Sequence, residues 1–168
     1  MKPVIIEKPA FLIVGTRALW NLAPEVPGML WQSKMLPRRG EIKAAPGAEN
    51  SAFGVFNPVP GSSGKLYDYV AGMMVTSLEE IPIGMVGWEI PEGSYASITA
   101  IGLSAVYKVY KDVVDSWLPS SGYTRVDGPA YCISSHITNP SSPAAFWQVN
   151  VRIRNPKQKS LDDMWSTE

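Results

Sequence analysis

The chain has 168 residues, 45% of them hydrophobic and 18% charged, which suits one globular domain with a core of its own. Fifteen basic residues balance fifteen acidic ones; this lacks the electrostatic footprint of a duplex-binding module and argues against nucleic acid as a partner. The single cysteine, Cys132, excludes an internal disulfide, and no apolar run approaches the roughly 20 residues a membrane helix needs.

At the start, Lys2 precedes a short apolar run broken by Glu7, Lys8 and Pro9, which is not the pattern of a signal peptide. A cytoplasmic location is expected, where a free thiol is normal. The run AFLIVGTR, up to residue 17, is continuous, apolar and rich in β-branched residues, so it predicts a buried strand. Val26, Met29, Leu30, Ser33, Met35 and Leu36 then roughly follow a helical stripe, and a helix from about Glu25 to Leu36 closed by Pro37 is expected. Arg38 to Asn50 reads as a loop. The cations Lys34, Arg38, Arg39 and Lys43 are read as a solvated helix end.

Ser51 to Val59 predicts a strand, followed by the turn PGSSGK and a second strand from Leu66 to Thr76. In that second strand Tyr67, Tyr69, Ala71, Met73 and Val75 share one face, and Leu66, Asp68, Val70, Gly72 and Met74 the other. Both faces are largely apolar, so both are expected to be covered; Asp68 then needs a partner or water. Residues 77 to 93 turn repeatedly at Pro82, Gly84, Gly87, Pro91 and Gly93, with Trp88, Glu89 and Ile90 between two turns.

Ser94 to Ile101 predicts a strand and Ser104 an N-cap for an amphipathic helix whose stripe is Val106, Tyr110, Val113, Val114 and Trp117. After the turn PSSGY come a short strand, Ala130 to His136, a turn, and a last strand, Phe146 to Arg154. There Trp147, Val149, Val151 and Ile153 oppose a polar face of Gln148, Asn150, Arg152 and Arg154. One domain over residues 1–155 and a charged tail over 156–168 follow, with Trp165 a candidate to dock.

The order is strand, helix, strand, strand, twice over. Two such β-α-β-β units predict an α+β fold: an antiparallel sheet with two helices on one face and the opposite side left as a central ligand cleft. Chemistry-bearing motifs are sparse. His136 lacks a partner of fixed spacing, and with Cys132 it supplies only two ligands, so neither a metal site nor a cofactor is proposed. Cys132 reads as a small buried hydrophobe, since a reactive thiol needs a positive neighbour.

The aromatic and methionine supply points to a pocket instead. Flat rings and flexible thioethers suit lipophilic ligands, and ring faces attract cations. The expected ligand-binding residues are Phe53, Tyr69, Met73, Trp88, Glu89, Tyr95, Trp117, Tyr131 and Trp147, with Met85 of the same type. Asp68 and Glu89 are the carboxylates that would pair with an organic cation if they enter the cleft; each also reads as a surface acid.

The succession DYVAGMMV, IPEGSYASITAIG, VVDSWLPSSGY and DGPAY resembles the effector-binding domains of the GyrI-like superfamily, also found as the ligand-sensing half of AraC-type and multidrug-responsive activators. KPAFLIVGTR resembles that family's opening strand and SAFGVFNP its second. The resemblance implies a duplicated fold with a central cleft for amphipathic, often cationic, small molecules. Relatives that bind DNA carry a separate helix-turn-helix domain before this one. Here the sensing fold begins within the first dozen residues, so a stand-alone binding protein is expected.

One departure bears on the ligand. Where the family often has an acid in a pattern like PxFExY, this chain reads Pro129-Ala130-Tyr131-Cys132-Ile133-Ser134, with Cys132 in place of the carboxylate. Neutral lipophilic ligands gain ground accordingly. The leading expectation is a non-enzymatic binding protein for lipophilic or amphipathic small molecules. The alternative is a hydrolase of a bulky hydrophobic natural product, because some relatives open strained cyclopropanes with a pocket Trp and Glu; Trp117 matches that Trp, and Glu89 or Asp68 would be the acid/base, with Tyr131 positioning. A third reading, shielding of a protein partner such as gyrase, follows from the family name.

Overall fold

The structure, a computed structural model, describes residues 2–135 and 137–154. In chain order its elements begin with β1 (Val4–Lys8) and β2 (Phe11–Trp20), then a helical run over 26–41. That run comprises α1 (Val26–Leu30), a π-helical turn (Trp31–Met35) and a 3-10 turn (Leu36–Glu41). Next come β3 (Ala52–Pro58), β4 (Tyr67–Val75), β5 (Val86–Ile90) and β6 (Gly93–Ile101). A second helical run over 103–121 comprises a 3-10 turn (Leu103–Ala105), α2 (Val106–Asp112), a π-helical stretch (Val113–Trp117) and α3 (Leu118–Ser121). The described chain closes with β7 (Thr124–Arg125), β8 (Ala130–Ser134) and β9 (Phe146–Arg154).

The strands form one antiparallel sheet in the order β1-β6-β9-β8-β3-β4-β2-β5, with β7 beside β8 on the same flank of β9. The order is a palindrome. β1, β2, β3 and β4 of the first half correspond to β5, β6, β8 and β9 of the second, and the central pair is β3 with β8. The midpoint of that pairing is Gly54 opposite Cys132, so these two residues lie on the pseudo-twofold axis. The expected strand-helix-strand-strand repeat is therefore present, with one more strand in the first half and two more, β5 and β7, in the second. β1 and β5 each cross to the other half: β1 pairs with β6, and β5 with β2.

Both helical runs extend past the residues that sequence patterning suggests. The first was expected to stop at Pro37 but continues to Glu41, because Pro37 falls in the first turn of the new 3-10 segment, where a missing N–H leaves no intrahelical bond broken. The second run does the same at Pro119 in the first turn of α3. In both, the segment before the proline has π-helical spacing, and both carry Leu-Pro-x-x-Gly, at Leu36 to Gly40 and Leu118 to Gly122. The second run is not capped by Ser104. Its first turn follows Gly102, whose φ of 86° favours glycine, and Ser104 is exposed within the turn without a side-chain cap bond.

Strand alternation sorts the sheet into two cores. On the helix side lie Val14, Trp20, Ala52, Phe56, Tyr67, Tyr69, Met73, Cys132, Trp147 and Val149, packed with Trp31, Met35, Val106, Tyr110 and Val113 from the helical runs. On the other side Ile13, Phe53, Val55, Val70, Ile90, Tyr95 and Tyr131 form a second cluster. Its rings interlock: Phe11 lies 5.2 Å from Tyr131 and 5.5 Å from Phe53, and Tyr95 lies 5.4 Å from Tyr131. The side opposite the helices is thus filled by the chain's own rings, although sequence reasoning leaves it for the ligand. Both faces of β4 are covered, as its alternation suggests.

Candidate functional site between the helical runs

The first helical run packs over β2 and β4 and the second over β6 and β9, which leaves β3 and β8 in the gap between them. The side chains that β3 and β8 present to that gap are Ala52, Gly54 and Phe56, and Ala130, Cys132 and Ser134. Apart from Phe56 this floor is made of small residues, so space above it is filled from the sides. Tyr69 lies across Gly54: a Cβ there would run into the Tyr69 hydroxyl and stand 2.9 Å from Cys132 Sγ. Trp31 reaches in from one helical run and Tyr110 from the other, both buried.

A ring cluster closes one end of the gap. Trp20, at the end of β2, meets Tyr69 at 5.6 Å and Tyr107 of α2 at 5.5 Å, both edge-to-face, so it bridges the halves. Phe56 meets Tyr110 at 5.0 Å. The Trp20 indole N–H donates to Ala23 O at 2.9 Å. Outside the cluster the Arg125 guanidinium stands 5.7 Å over the Tyr110 ring, a cation–π contact supplied by the chain itself.

The interior of the gap is uncharged. Among the described residues no Asp or Glu is buried. Burial pushes the Cys132 thiol up to about 12, against partial relief from the backbone at Gly54 and at Cys132 itself, so the group is a neutral thiol at physiological pH. Burial also raises Tyr69 well above the usual tyrosine range; Cys132 adds to this and the Trp31 indole opposes it. Among the described residues three buried polar atoms on this face have no hydrogen-bond partner: Tyr69 Oη, Trp31 Nε1 and Thr16 Oγ1. The Trp31 N–H lies near enough to the Tyr69 hydroxyl to bias its titration but outside hydrogen-bonding geometry. Such orphaned groups carry a desolvation cost of about 1–3 kcal/mol each.

The nine expected ligand-binding residues do not share one place. Tyr69, Met73 and Trp147 belong to the helix-side core, as does Met85. Trp117 is half-buried at the end of the second helical run, stacked on Tyr123 at 5.7 Å. Phe53, Trp88, Tyr95 and Tyr131 belong to the opposite core. Glu89 is exposed on the edge strand β5. Asp68 also lies away from the gap, where its Oδ1 accepts from Arg17 Nε at 2.7 Å at the partly exposed rim of the sheet. His136 and Trp165 lie outside the described residues. Sequence reasoning omitted Trp20, Trp31, Phe56, Tyr67, Tyr107, Tyr110 and Thr16 from the site. Their common signal is the repeat: Leu-Pro-x-x-Gly, and Ala-Phe-Gly-Val in β3 against Ala-Tyr-Cys-Ile in β8, place the central strands and hence the gap.

Two open recesses lie elsewhere. One of about 680 Å³ is bordered by Glu41 to Lys43, Val75 to Ser77 and Glu79 to Pro82. The other, about 590 Å³, is bordered by Glu7 to Pro9, Glu92 to Ser94 and Arg152 to Arg154. Both are rimmed by turns and exposed charges, and neither contains any of the nine expected residues. Among the described residues no three His, Cys, Asp or Glu side chains converge as a metal ion would require, and no helix is long and apolar enough to cross a membrane.

Comparison with known proteins agrees with this architecture. The family model described as a GyrI-like small molecule binding domain matches residues 1–144. The chain is 33% identical over 98 residues to the transcriptional regulator BrlR of Pseudomonas aeruginosa; the match takes in 58% of this chain but only 34% of that regulator, about a third of its length. A structure of SAV2435 bound to tetraphenylphosphonium is similar over 92% of this chain and 94% of its own, with a TM-score of 0.66 and 13% identity. An integron cassette protein from the mobile metagenome of Vibrio cholerae is similar over 91% and 96%, with a TM-score of 0.57 and 17% identity. At such identities the two structures speak to the fold alone.

Proposed function

The chain belongs to the GyrI-like small molecule binding domain family, and on that premise we propose that it takes a lipophilic, flat-ringed molecule between its two helical runs, over Gly54 and Cys132. The observation that carries this reading is the small-residue floor at the centre of the sheet, roofed by side chains that leave three buried polar atoms without partners. A ligand entering there would displace rings held by edge-to-face contacts, each worth only about 0.5–1.5 kcal/mol beyond its burial. Tyr107, half-buried on α2, and Arg125, exposed above Tyr110, lie where the ring cluster meets solvent.

Cationic ligands have the ring faces to bind to but, among the described residues, no buried carboxylate, so their gain over a neutral molecule of the same shape is small. Tetraphenylphosphonium, the ligand of SAV2435, is a suitable cationic probe on that account. The arrangement favours binding without turnover, since neither Asp68 nor Glu89 stands in the gap to act as acid or base. The unpaired thiol of Cys132 fits a reducing, cytoplasmic setting.

Thermal unfolding with a panel of neutral polycyclic aromatics and lipophilic cations tests the proposal. A ligand at a hundred times its Kd adds about 2.7 kcal/mol, or roughly 5–11 °C for a domain of this size. Gly54→Ala, which puts a methyl group into the floor, is expected to remove the shift. No shift with any compound, or an undiminished shift in Gly54→Ala, contradicts the reading.

A further inference from the structure

The two halves of the gap differ in the buried polar atoms that lack a partner, and the register makes the comparison residue by residue. Ala71 pairs with Gly54 and Thr16, while Val149 pairs with Cys132 and Ile98. Thr16 therefore corresponds to Ile98, and Tyr69 to Trp147. Counting back from the shared Leu-Pro, Trp31 corresponds to Val113. Among the described residues each orphaned atom on the helix side belongs to the first half: Thr16 Oγ1, Trp31 Nε1 and Tyr69 Oη. At the matching positions the second half has two aliphatic side chains and Trp147, whose indole N–H donates to Pro140 O at 3.3 Å. All three first-half residues are more than nine-tenths buried, at 7%, 0% and 1% exposure.

Near-symmetry of the backbone with partnerless polar atoms in one half alone is not required by packing. An isosteric apolar residue at each position would avoid the desolvation cost. Trp31 Nε1 can only donate, the two hydroxyls each bring a donor, and the neighbouring Cys132 is a neutral thiol. Among the described residues no buried carboxylate is available to a cation, and no buried Lys or Arg to an anion.

Resting on the binding reading above, the geometry points to a neutral ligand with an apolar, planar body and one hydrogen-bond acceptor, such as a ring carbonyl. Its acceptor turns toward Trp31 and Tyr69 and its body lies along Val113 and Trp147. The acceptor takes the Trp31 N–H and the Tyr69 O–H, two of the three unpaired groups, so it contributes selectivity and the rings contribute most of the affinity.

The test compares 9-fluorenone with fluorene, two neutral molecules of one shape that differ by a carbonyl, with tetraphenylphosphonium as the cationic probe, by isothermal titration on the full chain. Fluorenone is expected to bind five- to tenfold more tightly than fluorene, the worth of one hydrogen bond in a buried site. Tyr69→Phe should shrink that preference, and Tyr69→Phe with Trp31→Phe should bring the two neutral probes to parity. Tyr69→Phe keeps the ring and removes only a hydroxyl without a partner, so its Tm should not fall; a loss of several degrees means that the hydroxyl is already satisfied and overturns the inference. Equal affinities for the two neutral probes, a preference that survives the double variant, or tighter binding of tetraphenylphosphonium than of fluorenone each overturns it while leaving the binding site in place. Failure of all three probes to bind removes the binding reading as well.

Discussion

Cys132 sits at the middle of the molecule, on the axis that relates its halves, and its thiol and the Tyr69 hydroxyl both border the space over Gly54. Burial raises its folded-state pKa to about 12 from an ordinary value of 9.0, so the folded protein holds this proton to a higher pH than the unfolded chain does. The thiol's contribution to stability is therefore intact below about pH 9 and is lost as pH rises from there toward 12. Tyr69 and Tyr131, also raised by burial, act in the same direction. Replacing Cys132 by Ala should leave the tyrosine part of this loss and remove the thiol part, flattening the fall in urea-unfolding free energy by up to about 1.4 kcal/mol per pH unit. Parallel pH profiles for Cys132→Ala and the parent would show that the thiol ionises as readily folded as unfolded.

Among the elements, β2 and β4 depend on an unusually close approach at their centre. Gly15 pairs with Gly72; a Cβ on Gly15 would collide with the Ala71 carbonyl oxygen, and one on Gly72 would stand 2.7 Å from Val14 O. Both obstacles are backbone and cannot rotate away. Gly15→Ala is expected to cost about 3 kcal/mol or more. Gly40→Ala is the control: nothing lies within 4 Å of its Cβ position, and alanine in that helical turn should add about 0.5–1 kcal/mol. Equal effects in chemical denaturation would refute the close-contact account. Most elements were legible as patterns: the alternation in β4 and β9 and the stripe of α2 follow the periods of their residues. β1 and β5 were not, since each is five residues long, bounded by turns, and pairs with a strand of the other half. Nothing local marks such a strand, and Trp88 to Ile90 looks like a piece of a loop until β2 is placed beside it.

Taken as a whole molecule, the crossing of β1 and β5 makes each half incomplete alone. A fragment of residues 1–84 leaves β1 without β6, β2 without β5 and β3 without β8, so it should lack a cooperative thermal transition, and adding the remainder should restore one. A fragment that melts cooperatively by itself would show the halves to be independent. Whole-molecule geometry also explains why the site was only half legible. Alternation separates Tyr69 and Met73 from their neighbours on β4, but it cannot tell which face of one strand meets which face of another; that took the register. Phe53, Tyr95 and Tyr131 therefore looked like companions of Tyr69 and Trp147 when the sheet lies between them. Trp31 and Thr16 escaped notice because an orphaned atom is visible only once every possible partner has a position. The most direct measurement is a crystal structure of the full chain soaked with 9-fluorenone. Density is expected between the helical runs over Gly54 and Cys132, with the carbonyl oxygen within hydrogen-bond distance of Tyr69 Oη and Trp31 Nε1. Density confined to the recess beside Glu79 to Pro82, or to the Phe11–Tyr131 side of the sheet, would contradict it.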